Sequence, residues 1–174
     1  IWIQVIDTEG KSLLRSWSNK TGDDLSLVRK DVKEILQDPK IRDTLSVGKF
    51  DLSFKSIVPL FDDKKQFLGL IECIGKYNSI TRKMQEKGFK SIVILNEKSS
   101  KKLQFPFTKR FIKNRYIANI DADEDILSFI EDKGMKYFEG KDKFFIDTAA
   151  SLFIAVHSIN NLDKTSMGEI LIFK

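Results

Sequence analysis

An order of elements that occurs twice constrains this chain more than any single motif. From Ile1 to Ile74, runs of strand character enclose one stretch of helical spacing, and a similar succession returns between Lys90 and Phe173. In the first half, Ile1 to Asp7 reads as a strand, Asp7-Thr8-Glu9-Gly10 supplies a turn, and Ser12 to Trp17 answers as the second arm of a hairpin. After the polar loop Ser18 to Asp24, Leu25, Val28, Val32, Ile35 and Leu36 recur at the spacing of a helix that Pro39 must end. Asp24, with Asp23 beside it, stands where a side-chain cap for that helix is expected. Thr44 to Val47, Leu52 to Phe61 and Phe67 to Ile74 then read as three antiparallel strands, the last two joined at Asp62-Asp63-Lys64-Lys65.

A short helix marked by Tyr77, Ile80 and Met84 follows and stops at Gly88, before the second half begins. A strand from Lys90 to Leu95, a basic aromatic stretch and a strand-like run from Tyr116 to Ile120 precede a helix from about Ala122 to Lys133. Ile126, Leu127 and Ile130 form the stripe of that helix, and Gly134 is its stop. Phe144 to Thr148, Leu152 to Ile159 and Gly168 to Phe173 complete the strands. Gly69 and Gly168 lie 99 positions apart, each after a strand and an Asp-containing turn and before an apolar strand, so the two closing hairpins overlay. The pattern predicts an α+β chain of two tandem modules, each an antiparallel sheet flanked by helices, over residues 1–76 and 90–174, with a connecting helix over 77–89.

Composition narrows the chemistry. With 41% hydrophobic residues in 174, the chain can bury a core in each of two modules of about 87 residues. A single Cys73 forms no internal disulfide, and with a single His157 no nitrogen or sulfur zinc constellation is available. No Asp-rich loop of calcium-binding spacing is present, so neither a metal nor a cofactor is expected, and the composition leans against an enzyme. No run approaches the ~20 apolar residues that cross a bilayer. The +5 net charge is divided evenly between the halves and by itself specifies no partner. The chain opens on Ile-Trp-Ile-Gln-Val-Ile, without an initiator Met or signal pattern, and closes on Glu-Ile-Leu-Ile-Phe-Lys, as expected of a segment cut from a longer protein.

Several residues together carry a resemblance. Trp2 to Gly10, Arg15-Ser16-Trp17-Ser18, Gly22-Asp23-Asp24-Leu25, Arg29-Lys30-Asp31, Val58-Pro59-Leu60-Phe61-Asp62 and Phe67-Leu68-Gly69-Leu70-Ile71-Glu72 resemble the membrane-distal half of a double Cache sensor domain. The second half, from Lys90 to Ile120 and in its closing hairpin, is similar to the membrane-proximal half of the same family. The resemblance implies two PAS-like modules. It also implies an extracytoplasmic, non-catalytic ligand-sensing region of a bacterial receptor, anchored by flanking transmembrane helices absent from these residues, and able to form a homodimer in the full receptor. The output would be a histidine kinase, a chemoreceptor or a diguanylate cyclase. Its partner would be a small solute such as a carboxylate or amino acid held in the distal module. The amino-acid-binding subgroup carries Arg-x-Trp-Tyr followed by Tyr-x-x-Asp; here Ser18 follows Trp17 and no such second element appears, so amino-acid specificity is not carried over. The long helix that normally precedes the distal module is likewise absent.

Six side chains are candidates for ligand contact: Arg15, Trp17, Asp24, Arg29, Lys55 and Glu72. Arg15 and Trp17 share a sheet face, where a guanidinium can hold a carboxylate while an indole excludes water; the alternative is a core Trp17 with Arg15 paired to Asp23 or Asp24. Arg29 is either a pocket residue or a snorkelling surface arginine, and Asp24 either a cap or an acceptor for an ammonium. Lys55 and Glu72 each interrupt an apolar strand, so each requires a partner or a cavity: a cross-strand ion pair, or one facing solute while the other balances it. Cys73 is read as packing and His157 as structural or solvated. Lys98 to Arg115 holds seven cations, no acid, and Phe105, Phe107 and Phe111. This composition suits a solvated loop over an aromatic core, or contact with anionic lipid; no nucleic-acid signature is present. The leading reading is a small-molecule sensor, and the alternative a structural or dimerisation spacer that has lost solute binding.

Overall fold

Alternation with a period of two builds a sheet in each half. The computed structural model describes residues 1–138 and 143–174, and the chain divides into two units: Ile1–Leu45 with Ser53–Gly75, and Ser46–Leu52 with Lys76–Lys174. The first contains β1 (Trp2–Ile6), β2 (Ser12–Arg15), α1 (Lys30–Gln37), β3 (Arg42–Val47), β4 (Leu52–Phe61) and β5 (Phe67–Lys76), with strand order β2-β1-β5-β4-β3. β1 pairs antiparallel with both β2 and β5. Ile6, Leu70 and Ile57 of the sheet, with Leu25 and with Val32 and Ile35 of α1, form its apolar core.

The second unit contains α2 (Asn78–Glu86), β6 (Lys90–Leu95), α3 (Glu97–Ser100), the small hairpin β7 (Phe111–Ile112) and β8 (Arg115–Tyr116), α4 (Glu124–Lys133), β9 (Lys143–Asp147), β10 (Leu152–Asn160) and β11 (Ser166–Phe173). The sheet order is β6-β11-β10-β9. Ile92, Ile94, Ile154, Val156, Leu171 and Phe173 of its inner face pack with Ile126 and Ile130 of α4 and with Phe138. The architecture is α+β, built from tandem PAS-like modules.

The closing hairpins are duplicates at atomic level. In the first, Gln66 N donates to Asp62 Oδ1 (2.7 Å) and Lys65 N to Asp62 O (3.0 Å), with Lys65 at φ 63°. In the second, Thr165 N donates to Asn161 Oδ1 (2.9 Å) and Lys164 N to Asn161 O (3.0 Å), with Lys164 at φ 59°. A glycine follows seven positions after each turn-opening residue because another strand passes against it: a Cβ on Gly69 would strike the Ile6 carbonyl, and one on Gly168 the Ile94 carbonyl. The equivalent acceptor is Asn161, where the sequence pattern points to the Asp of that turn.

Local departures have local causes. The helix expected from Leu25 begins only at Lys30: a single turn closes where Val28 N and Arg29 N donate to Leu25 O (3.2 and 2.9 Å), and the extended backbone of Arg29 (φ −126°, ψ 106°) then separates it from α1. Leu27 and Val28 are 81% and 79% exposed, so the apparent stripe is broken before Val32. Asp24 therefore does not cap α1; its Oδ1 accepts from Ser26 N (2.9 Å) and Ser26 Oγ (2.6 Å) in the preceding turn. The strand expected over Tyr116 to Ile120 is shorter: β8 ends at Tyr116, and the side chain of Asn119 then replaces strand backbone by accepting from Val93 N and donating to Ser91 O (both 2.9 Å). Cys73 is exposed rather than packed. Phe105, Phe107 and Phe111 are 64%, 50% and 42% exposed, so the basic stretch does not cover an aromatic core. Its backbone is fastened instead: Gln104 N and Phe105 N donate to Lys49 O, Phe107 N to Phe50 O, and the Tyr116 hydroxyl to Asp51 Oδ1 (3.1 Å).

Candidate ligand site

Strand register places the charged residues of the first unit in one row. Gln4 of β1 lies opposite Arg15 of β2 on one side and Glu72 of β5 on the other. Because side chains alternate, these three share a face with Ile6 and Leu70, so the row continues the apolar core of the unit as a polar end. Arg29, just before α1, and Asp31, in its first turn, close over this row.

Arg29 holds Glu72 with two hydrogen bonds, Nη1 to Oε2 (2.9 Å) and Nη2 to Oε1 (2.5 Å), and Asp31 with two more, Nε to Oδ1 (3.1 Å) and Nη2 to Oδ2 (2.6 Å). Glu72 is fully buried and the side chain of Arg29 only 16% exposed. Such a pair is held by geometry that compensates for desolvation; removing one partner would leave the other charge stranded. Burial is the largest influence on Arg29, pulling its pKa down, yet the bonds and charges of Glu72 and Asp31 outweigh it and hold the guanidinium up. Burial likewise pushes Asp31 up, and Arg29, with a smaller contribution from the charge of Lys55, brings its carboxyl below the ordinary value.

Arg15 is committed in the same way. Nη2 donates to Asp23 Oδ2 (2.8 Å), Nη1 lies 2.7 Å from Asp23 Oδ1, and Nη1 also donates to Lys20 O (2.8 Å). With the amide of Gln4 oriented so that both its ends are satisfied, its nitrogen donates to Glu72 Oε2 (3.1 Å) and its oxygen accepts from Arg15 Nε (3.1 Å). Gln4 thus links the two arginine clusters across three strands.

Lys55 of β4 differs from both arginines. Burial, then the charge of Arg29, lower its pKa against the opposing pull of Glu72 and Asp31. Among the described residues, no carboxylate lies within ion-pair distance of its ammonium.

The structure therefore brings Arg15, Arg29, Lys55 and Glu72 onto one network. Trp17 stacks on Trp2, whose strand position is two from Gln4, with ring centroids 5.1 Å apart and planes at 22°. Asp24 stands apart in its turn. Gln4, Asp23 and Asp31 complete the network, and sequence reasoning gave them no site role. The signal for Gln4 was present: it interrupts an apolar strand, as Glu72 does, and antiparallel pairing of the two strands places one polar break opposite the other.

Two PAS-like modules in tandem, the first with a charged interior, place the chain among sensory domains. The chain belongs to the double Cache family described as the double sensory domain of two-component sensor kinases, whose model matches residues 2–114. No curated protein matches the chain significantly. Among solved structures it is similar to an extracellular ligand binding receptor from Desulfohalobium retbaense DSM5692, at 14% identity and a TM-score of 0.52, covering 99% of this chain and 30% of that one. It is also similar to the sensor domain of the V. cholerae histidine kinase DctB (12% identity, TM-score 0.39, 99% and 71% covered). A further similar structure is the periplasmic sensory domain of the Campylobacter jejuni chemoreceptor Tlp1 (13%, 0.36, 99% and 70%). The chain spans less than a third of the length of the first of these, and at such identities the likeness concerns the fold alone.

Proposed function

We propose that the chain is the extracytoplasmic, non-catalytic sensor of a membrane receptor and that its first unit binds a small carboxylate-bearing solute, of the carboxylate or amino-acid class. The observation that carries this reading is Lys55, a largely buried ammonium beside a charged network, with no described carboxylate within ion-pair distance of it. Arg15 and Arg29 are already committed to Asp23, Asp31 and Glu72, so they shape and hold the site while Lys55 supplies the attraction. The Trp2–Trp17 stack provides an apolar wall nearby. A solute that favours one arrangement of the receptor shifts its population toward that arrangement, and flanking membrane helices relay the bias to a kinase, chemoreceptor or cyclase output. The domain carries no chemistry of its own in this reading.

The spacer alternative draws on the internal neutralisation of both arginines. One experiment separates the two: thermal melting of the domain with small carboxylates and amino acids, repeated on Lys55→Met. A carboxylate that raises the melting temperature of the wild type but not of the folded variant supports the sensor. If no such solute shifts the wild type, or if Lys55→Met responds equally, the assignment of Lys55 fails.

A further inference from the structure

From α3 to the β7–β8 hairpin the second unit carries charge of one sign. Between Lys98 and Ile120 the sequence holds no acidic residue, while seven cations fall between Lys98 and Arg115. Arg110 is paired with Glu124 (2.9 Å), but among the described residues Lys98, Lys101, Lys102, Lys109 and Lys113 form no ion pair, and all five are exposed. The tip of the β3–β4 hairpin adds another exposed lysine, Lys49, and the acid of that tip is turned inward. Asp51 is 6% exposed, accepts from the Tyr116 hydroxyl (3.1 Å) and lies 3.6 Å from Lys76 Nζ.

Exposed rings stand among these lysines. Phe50, Phe105 and Phe107 are 51%, 64% and 50% exposed; Phe105 stacks on Phe50 with centroids 6.0 Å apart, and Lys76 Nζ sits 3.3 Å from the centre of the Phe107 ring. Single apolar side chains on a surface are ordinary, but rings gathered within a lysine rim mark a place where a partner excludes water. Their backbone is fastened: Gln104 N and Phe105 N donate to Lys49 O and Phe107 N to Phe50 O (all 2.9 Å), and the Thr108 hydroxyl to Ile117 O (2.6 Å). A platform fixed before binding loses little conformational entropy when it docks.

We propose that this platform docks an acidic segment of a partner protein, whose carboxylates meet the lysines while an apolar side chain seats on Phe50 and Phe105. Charge complementarity selects a negatively charged occupant, because these lysines meet no carboxylate of their own chain. An anionic lipid surface has the same charge. In the membrane receptor proposed above, however, a membrane helix that follows β11 leaves the sheet at Phe173, opposite Lys90, whereas the platform grows from the Leu95 end of β6, about 20 Å away. Binding is read as fluorescence anisotropy of a labelled peptide of Glu-Glu-Phe repeats, with polyglutamate of equal length and phosphatidylglycerol vesicles as competitors. The peptide is expected to bind with a dissociation constant of about 10 μM, polyglutamate about ten-fold more weakly, and the vesicles are expected not to displace it. Lys101→Glu combined with Lys102→Glu should weaken the peptide about ten-fold and Phe105→Ala about five-fold, while Lys55→Met leaves its affinity unchanged. The replaced platform residues are exposed, so the melting temperature of each variant should match the wild type. The proposal is overturned if the peptide does not bind at about 1 mM, if polyglutamate binds as tightly, if the vesicles displace the peptide, or if either platform variant binds like the wild type.

Discussion

The two units share a frame and differ in what fills it. Each has an antiparallel sheet, a helix over its inner face and the same closing hairpin, with an Asx-type turn and a glycine seven positions on. In the second unit the inner face is mainly apolar, a cluster from Ile92 to Phe173 with aromatic edges between Phe129, Phe138 and Phe173, interrupted by the buried Glu169 on the face of Leu171 and Phe173. In the first, half of that face is given over to Gln4, Arg15, Glu72 and Lys55, covered by Arg29 and Asp31. The same frame thus supports a scaffold in one case and a chemically addressable interior in the other. Retaining charges where apolar residues would be more stable is a cost expected of function.

This comparison can be broken most directly at its two interiors. Phe173→Ala, which empties volume from the second core, should cost about 3–5 kcal/mol in chemical denaturation. Arg29→Ala should cost nearly as much, about 3–5 kcal/mol, because Glu72 is left charged and buried; yet the double replacement Arg29→Met with Glu72→Met should fall close to the wild type. A double variant as damaged as the single one would mean that the network stabilises the fold outright. Gly69→Ala and Gly168→Ala test the shared frame: each should cost about 1–3 kcal/mol, and a neutral result at one alone would show that the hairpins are not equivalent under load.

The next effect has the opposite sign. Lys55→Met removes a buried ammonium whose desolvation outweighs the pull of Glu72 and Asp31, and should stabilise the first unit by roughly 1 kcal/mol while abolishing carboxylate binding, a trade visible by pairing denaturation with calorimetry. Smallest is a pH effect in the second unit. Lys133 hydrogen-bonds Asp147, and with Ala150 N and the Tyr137 hydroxyl holds its carboxyl at about 2. A depressed folded value means stability that is present above the ordinary carboxylate range and lost as pH falls from about 4 toward about 2. Asp147→Asn should flatten that part of the melting-temperature profile, and an unchanged profile would remove Asp147 as its source.

Much of the frame was legible because it rests on local signals: strand alternation, the turn chemistry of residues 7–10 and 62–65, and the repeated glycine. The start of α1 was not, since Leu25 and Val28 fit a helical period while the extended backbone of Arg29 breaks the helix between them and Val32. The site was legible in part. Glu72 and Lys55 stand out as ionisable breaks in apolar strands, but their partners are set by packing at long sequence separation. Arg29 meets Glu72 across 43 residues, and nothing in the run Arg29-Lys30-Asp31 announces it. Asn119 was hidden for a related reason: a side chain imitating a strand leaves no periodic trace.

The stack of Trp2 on Trp17 has an optical consequence. The sequence holds two tryptophans, and both belong to the first unit, with near-parallel rings 5.1 Å apart. Their excited states couple at that separation, so the pair imprints a paired-band signature on the far-ultraviolet dichroism, and indole emission arises wholly from one module. Light selected for tryptophan therefore reports the charged unit and is blind to the apolar one, a built-in spectral separation of the two that needs no label.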